Sequence, residues 1–261
     1  QAIGAFMEVG RPAVVLFSGG KDSSVLLNLA LTAAVEQARQ GRNPMVVIAH
    51  SDVGVENPEI QRLVSGEIAK AARFAREHGV TAVVRVATPA FWDTFPVRVI
   101  GGRALPTFPD SRRDCQTDLK RLPNERELAL IERELVAKGW PQPVLMTGVR
   151  RDESAVRAAS VKGRGEKAVT LWTDTEGRLR LSPLLEWAVD DVWQYLGLAN
   201  AGGDTINAIK AAKEFGIGKS MKLAGLLIFI SDVHSLGLRN TEGLQFTTSW
   251  YGDLNEETRK F

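Results

Sequence analysis

The chain has 261 residues, 44% of them hydrophobic and 25% charged, with a net charge of +2. Those proportions fit a water-soluble globular protein with a full core, built as one large domain or as a domain with an appendage. They exclude a chain that binds nucleic acid by net charge alone. They also exclude a disulfide framework, since Cys115 is the only cysteine, and a bilayer span, since the apolar stretch Leu223–Ile230 is too short. With no charged-then-apolar leader at the start, the expectation is a cytoplasmic protein with no membrane partner.

In chain order, Val14–Phe17 reads as a short buried strand and Val25–Val35 as the apolar face of a helix. Between them stands Ser18-Gly19-Gly20-Lys21-Asp22-Ser23. Gly19 and Gly20 allow backbone angles that other residues resist and let a ligand approach the main chain. A glycine-rich turn from strand into helix aims free N–H groups outward, where the helix dipole adds positive potential. Lys21 adds a full charge, and Ser18 and Ser23 add hydroxyls, so the turn suits phosphate. A plain strand–helix turn capped by Asp22 or Ser23 would explain one polar residue, not the whole set. The spacing matches neither G-x-x-x-x-G-K-[ST] nor G-x-G-x-x-G.

Further along, Met45–His50 reads as a second strand, Asn57–His78 as an amphipathic helix and Thr81–Ala87 as a third strand. Thr88–Pro123 comes next as an irregular stretch with five prolines, a length that in a compact domain is usually functional. Asn124–Lys138 reads as a helix stopped at Gly139, Pro143–Val149 as a fourth strand and Leu179–Leu185 as a fifth. Val192–Leu198 reads as a further helix, which Asp190 or Asp191 is placed to cap. The expectation is an α/β fold, a doubly wound, mostly parallel five-stranded sheet with helices on both faces. Residues 1–198 form that domain, with 88–123 as an inserted loop, and 199–261 form a mostly helical extension.

Such sheets bind ligands beyond the carboxyl ends of their strands, near the topological switch point. The segments there are Ser18–Ser23, Ser51–Glu59 and Arg150–Arg157. Asp52, at the end of the second strand, suits a ribose hydroxyl or a magnesium ion reached through water, while Asn57 and Pro58 start the next helix. Arg150, Arg151 and Arg157 are forked donors suited to phosphate oxygens, and Glu153 and Arg157 are spaced as a helix-surface ion pair. Replacing Arg150 and Arg151 is expected to cost activity with little loss of stability.

Cys115 lies among Arg112, Arg113 and Lys120, which would lower a thiol pKa, so it reads either as a site-lining residue or as a sulfur-handling nucleophile. His50, His78 and His234 lack metal-ligand spacing. Trp187 and Trp193 read as core.

Ser-Gly-Gly-Lys-Asp-Ser resembles the PP-loop of the ATP pyrophosphatases, which cleave ATP between its α and β phosphates. Together with "SDVG" after the second strand, "TGVRRDESAVRA" after the fourth and "SPLLEWAVDDVWQYL" (Ser182–Leu196), it is similar to the phosphoadenosine-phosphosulfate reductase-like branch. Within that branch Thr94–Pro123 most resembles the DNA phosphorothioation proteins (the SspD and DndC group). Their Arg-x-Cys-Thr-x-x-Lys core stands here as Arg113-Asp114-Cys115-Gln116-Thr117-Asp118-Leu119-Lys120, one residue longer. A single cysteine favours the type without an iron–sulfur cluster, which needs four thiolates. Phe215–Met221 resembles the segment after the cluster cysteines in relatives.

The resemblance implies ATP and Mg²⁺ as ligands. The nucleotide would meet Phe17, Ser18, Gly19, Gly20, Lys21, Asp22, Ser23, Ser51, Asp52, Val53, Gly148, Arg150, Arg151 and Glu153. Lys21, Asp22, Arg150, Arg151 and Cys115 would be catalytic, and Asp22 and Asp52 would reach the metal. It implies DNA as acceptor, with a cysteine desulfurase and other phosphorothioation proteins as partners. The clusters Arg112, Arg113, Lys120, Arg121 and Arg157, Lys162, Arg164, Lys167 would border that site. The alternatives are a sulfonucleotide reductase, an ATP sulfurylase subunit and a nucleotide-sensing module without turnover. The first needs a cysteine after Cys115, and there is none; the last would not need both Lys21 and Asp22.

Overall fold

The computed structural model describes residues 2–102 and 116–199, with short pieces at 209–210, 224–225, 236–237, 241–242 and 245–246. The chain divides into two compact units, Gln1–Ala188 and Val189–Phe261.

The first unit opens with α1 (Ala2–Glu8), a short helix not anticipated from the sequence, which packs on α2. The strands β1 (Ala13–Leu16), β2 (Met45–Ser51), β3 (Thr81–Ala87) and β4 (Val144–Met146) are parallel. A hairpin adds β5 (Trp172–Thr173) and β6 (Leu179–Leu181), so the sheet has six strands in the order β3-β2-β1-β4-β6-β5 rather than the expected five. Only β5, at an edge, runs antiparallel. Two residues are too few to show a period of two, which is why β5 was not legible. Its turn was better marked: the Asp174 carboxylate accepts from the Glu176 and Arg178 amides at 3.0 and 2.9 Å, and Gly177 takes φ +79°.

The helices α2 (Lys21–Arg39), α3 (Pro58–Glu77), α4 (Leu122–Ala137) and α5 (Ala155–Arg164) form the crossovers. Strand alternation divides the core between the two faces of the sheet. Val14, Val47, Ala49 and Leu145 pack with Leu128, Ile131 and Leu135 of α4. Val15, Ile48 and Met146, all buried, point to the opposite face, where α2 brings Val25, Leu26, Ala30 and Ala34. Both central strands are therefore apolar on both faces, as parallel sheets require. On the edge strand β3, Arg85 bonds Glu127 and Glu134 of α4, both at 2.6 Å. The hydrogen bond from Arg85 holds the Glu134 carboxyl below its ordinary range.

Within the expected loop Thr88–Pro123, the described parts are short helical turns at Phe91–Asp93, Pro96–Ile100 and Thr117–Arg121. Arg98 and Asp118 form an ion pair that joins its two limbs. In the second unit the described elements are α6 (Val189–Ala199), which begins before Asp190 and Asp191 and so holds both in its first turn, and the parallel pair β7 (Ala224–Gly225) and β8 (Gln245–Phe246). Cys115, Arg112, Arg113 and Phe215–Met221 lie outside the described residues. Among the described residues no helix is long and apolar enough to cross a membrane.

Candidate nucleotide site

The sheet order places the reversal of winding between β1 and β4, whose carboxyl ends lie side by side. A cleft of about 300 Å³ opens there, within the size range of small-molecule sites. The end of β1 supplies Leu16, Phe17, Ser18 and Gly20, and the start of α2 supplies Asp22 and Ser23. From the end of β2 come Ala49, His50 and Ser51, with Glu56 beyond them; α4 and the turn before it bring Asn124 and Lys120. Thr147, Gly148, Val149, Glu153 and Arg157 close the far side after β4.

Gly19 takes φ +80°, and a Cβ there would stand 2.2 Å from Val64 Cγ2. The loop is thus wedged against α3 where only glycine fits. The N-cap of α2 is Gly20, which has no side chain to close the helix end. The alternative of an Asp22 or Ser23 cap does not hold. Ser23 instead braces the loop: its hydroxyl donates to the Gly20 carbonyl at 2.9 Å and accepts from the Ser18 amide at 3.2 Å. No side chain caps the start of this 19-residue helix, and Gly20, Asp22 and Ser23 at its positive end line the cleft.

Asp22 lines the cleft, but both of its oxygens are engaged. Lys21 Nζ donates to Oδ2 at 2.8 Å and Arg150 Nε to Oδ1 at 2.7 Å. Arg150 is 3% exposed, and its guanidinium also reaches the Trp187 carbonyl at 3.4 Å. It does not face the cleft, contrary to expectation; it holds Asp22. Arg151 also turns away, with Nε on Glu186 Oε1 at 2.8 Å and an Nη on the Glu166 carbonyl at 3.4 Å. Arg151 opens a single 3₁₀ turn, Arg151–Glu153, and its partners Glu186 and Glu166 are both off the cleft lining.

The arginine on the cleft is Arg157, on α5 and paired with Glu153 at 2.9 Å as its spacing suggested. Asp52 and Val53 are not on the cleft lining. The Asp52 carboxylate accepts from the Gly54 amide at 2.8 Å and from Gln61 at 3.3 Å. Asn57 caps α3 through the Glu59 amide at 2.8 Å, as its sequence position indicates.

Several lining residues had no signal in the one-dimensional pattern. His50 Nδ1 donates to the Phe17 carbonyl at 2.9 Å and fastens the end of β2 to that of β1. Asn124 accepts from Ser51 Oγ at 2.5 Å across 73 residues of chain. Thr147 lies 3.0 Å from Ser182, its hydroxyl against that hydroxyl. None of the three falls in the strand-end segments singled out from the sequence, because their partners are distant along the chain.

Among the described residues no group of three His, Cys, Asp or Glu side chains is arranged to hold a metal ion. Of the two carboxylates expected to reach a metal, Asp22 lines the cleft with both oxygens engaged by Lys21 and Arg150, and Asp52 stands off the lining.

Residues 12–202 match the family described as phosphoadenosine phosphosulfate reductase domain, and residues 155–261 match that described as periplasmic binding protein. Sulfate adenylyltransferase subunit 2 from Mycobacterium tuberculosis strain H37Rv is 31% identical over 207 residues, covering 73% of this chain and 55% of that one. The same subunit from Mycolicibacterium vanbaalenii is also 31% identical over the same shares. The chain thus spans about half the length of the curated relatives it matches. NAD+ synthetase from Burkholderia pseudomallei aligns with a TM-score of 0.40 at 18% identity, over 74% of this chain and 68% of the other. With the family match extending over most of the chain, from before β1 through the cleft to α6, the protein belongs to the phosphoadenosine phosphosulfate reductase domain family.

Proposed function

We propose that the chain binds ATP in this cleft and cleaves it between the α and β phosphates, passing the adenylyl group to an oxyanion and releasing pyrophosphate. The observation that carries this reading is the open N-terminus of α2, with Gly19 wedged on Val64 and Gly20 as N-cap, facing a cleft at the switch point. In the reaction an acceptor oxygen bonds to the α-phosphorus as the bridging bond to the β-phosphate breaks, and pyrophosphate leaves with that electron pair. The N–H groups of α2 and the Lys21 ammonium hold the departing charge; magnesium, bound to the phosphates, supplies further neutralisation. Asp22, fixed by Arg150, keeps Lys21 at the loop until the phosphates replace the carboxylate as its partner. Lys120 and Arg157 bring positive charge to the cleft from opposite crossovers, where an anionic acceptor would enter.

The acceptor in this reading is a DNA backbone phosphate, activated for sulfur insertion with a cysteine desulfurase and companion proteins as partners. The similarity of Thr94–Pro123 to the DNA phosphorothioation proteins supports it. A second reading takes sulfate as acceptor, favoured by the identity to sulfate adenylyltransferase subunit 2.

The test is product analysis with ATP and magnesium, alone and with duplex DNA or sulfate added. AMP and pyrophosphate, released faster with DNA, support the first reading. Adenylyl sulfate, formed with sulfate, assigns the second. ADP, or no turnover under any of these conditions, overturns both.

A further inference from the structure

We propose that Thr147 recognises a hydrogen-bond donor of the bound nucleoside, because a buried relay leaves its hydroxyl able only to accept. The inference rests on the reading of the cleft as an ATP site. Thr147 ends β4 on the cleft lining, and behind it lie Ser182 and Glu166, 1% and 4% exposed. Glu166 is ion-paired with Arg164 through one oxygen, so its carboxylate accepts and does not donate. The Ser182 hydroxyl has one proton, and it donates that proton to Glu166 Oε2 at 3.2 Å. The 3.0 Å contact between Thr147 Oγ1 and Ser182 Oγ must then use the proton of Thr147. With that proton committed to Ser182, Oγ1 of this lining residue has only lone pairs to offer a ligand.

A phosphate oxygen offers only lone pairs and would be repelled there. The groups of ATP that can donate are the ribose hydroxyls and the exocyclic amine of adenine. The relay thus reserves Thr147 for the nucleoside and leaves the phosphates to the start of α2, against which the next residue, Gly148, is packed. Glu166 and Ser182 act through Thr147 and are positioning residues.

The experiment measures equilibrium binding of ATP, 2′-deoxy-ATP, 3′-deoxy-ATP and the triphosphate of purine riboside, which lacks the amine, to wild type and Thr147→Val. The wild type should lose on the order of tenfold in affinity with the analogue missing the contacted donor. Thr147→Val should show that loss with ATP itself and no additional loss with that analogue. Thr147→Ser, which keeps the hydroxyl, should retain the wild-type discrimination and control for packing. Glu166→Gln offers Ser182 a donor as well as an acceptor, so the relay loses its direction and discrimination should shrink. Equal binding of all four nucleotides by wild type and Thr147→Val, or losses that add independently, would overturn the inference while the ATP site stands. Failure of the wild type to bind any of them removes the ATP reading and this inference together.

Discussion

Arg150 Nε meets Asp22 Oδ1 at 2.7 Å, across 128 residues of sequence, and locks the loop after β4 onto the first turn of α2. Removing Arg150 takes one of the two cations from Asp22, which keeps Lys21, and leaves the Trp187 carbonyl without the guanidinium, a loss of charged hydrogen bonds that costs about 1.5–3 kcal/mol. Arg150→Ala should therefore melt well below wild type. Arg151, 38% exposed on Glu186, should change stability by under about 1 kcal/mol when replaced by alanine. Thermal unfolding of the two variants side by side checks this. Equal melting temperatures would return Arg150 to the surface role that its sequence position suggested.

Lys21→Ala should leave the fold intact and reduce pyrophosphate release by about 100-fold or more, the usual effect of removing one preorganised donor from a developing charge. Lys21 is part-exposed and bonds only its neighbour Asp22, so its loss opens no cavity. Pyrophosphate release near the wild-type rate, from a variant that melts normally, would remove Lys21 from the phosphate site.

The sheet and the fold of the glycine turn between β1 and α2 were legible because their signals are local. A continuous apolar run leading into Gly-Gly-Lys specifies a buried strand, a tight turn and a helix start within about ten residues. β3 was placed at its observed ends, Thr81 and Ala87, and β2 within one residue. The roles of the arginines were not legible, since they depend on partners such as Asp22 and Glu186 that only the fold brings near. Thr147, His50 and Asn124 were hidden for the same reason. The C-terminal end was overestimated at β4: Thr147 still donates its amide to the Leu181 carbonyl at 3.1 Å, but Thr147–Val149 lie past the end of the strand and line the cleft.

Gly148→Ala tests how closely the two loops must approach. A Cβ at Gly148 would lie 3.1 Å from the Asp22 carbonyl carbon and 3.3 Å from the Ser23 amide nitrogen, both backbone atoms that cannot swing aside. The variant should push the β4 loop off the start of α2, costing about 1–3 kcal/mol and displacing the amides of its first turn. At Gly19, where φ is +80° and Val64 stands 2.2 Å away, alanine should be worse on both counts. Measured ATP affinity and melting temperature should fall in the order wild type, Gly148→Ala, Gly19→Ala.

The β5–β6 hairpin should loosen in acid. Burial pushes the Asp174 carboxyl up, but hydrogen bonds from the Arg178 and Glu176 amides and from Arg180 outweigh it and hold the group below its ordinary value. A carboxyl whose folded value is depressed binds more protons when unfolded, so stability rises with pH. Its contribution is complete above the ordinary value of 3.8 and is lost as pH falls through the folded value. Asp174→Asn should flatten that part of the stability–pH curve, measured by denaturant unfolding from neutral to acid pH. An unchanged slope would show that the carboxylate is equally bonded in the unfolded chain.

Lys120 and Arg157 should govern the acceptor more than ATP. Both lie on the cleft from different crossovers, and a chain of net charge +2 can attract a polyanion only through such a local face. With DNA as acceptor, duplex binding should weaken steeply as salt rises, through counterion release. Lys120→Ala should weaken binding evenly across duplex sequences and lower the slope of log affinity against log salt by about 1, the share of one phosphate contact. Arg157→Ala should do the same at little cost in stability, since its pair with Glu153 is an exposed helix pair worth a few tenths of a kcal/mol. ATP affinity should change little in either variant. A duplex slope unaffected by both changes, with pyrophosphate release still responding to sulfate, would take the polyanion out of this cleft and leave the smaller oxyanion as its acceptor.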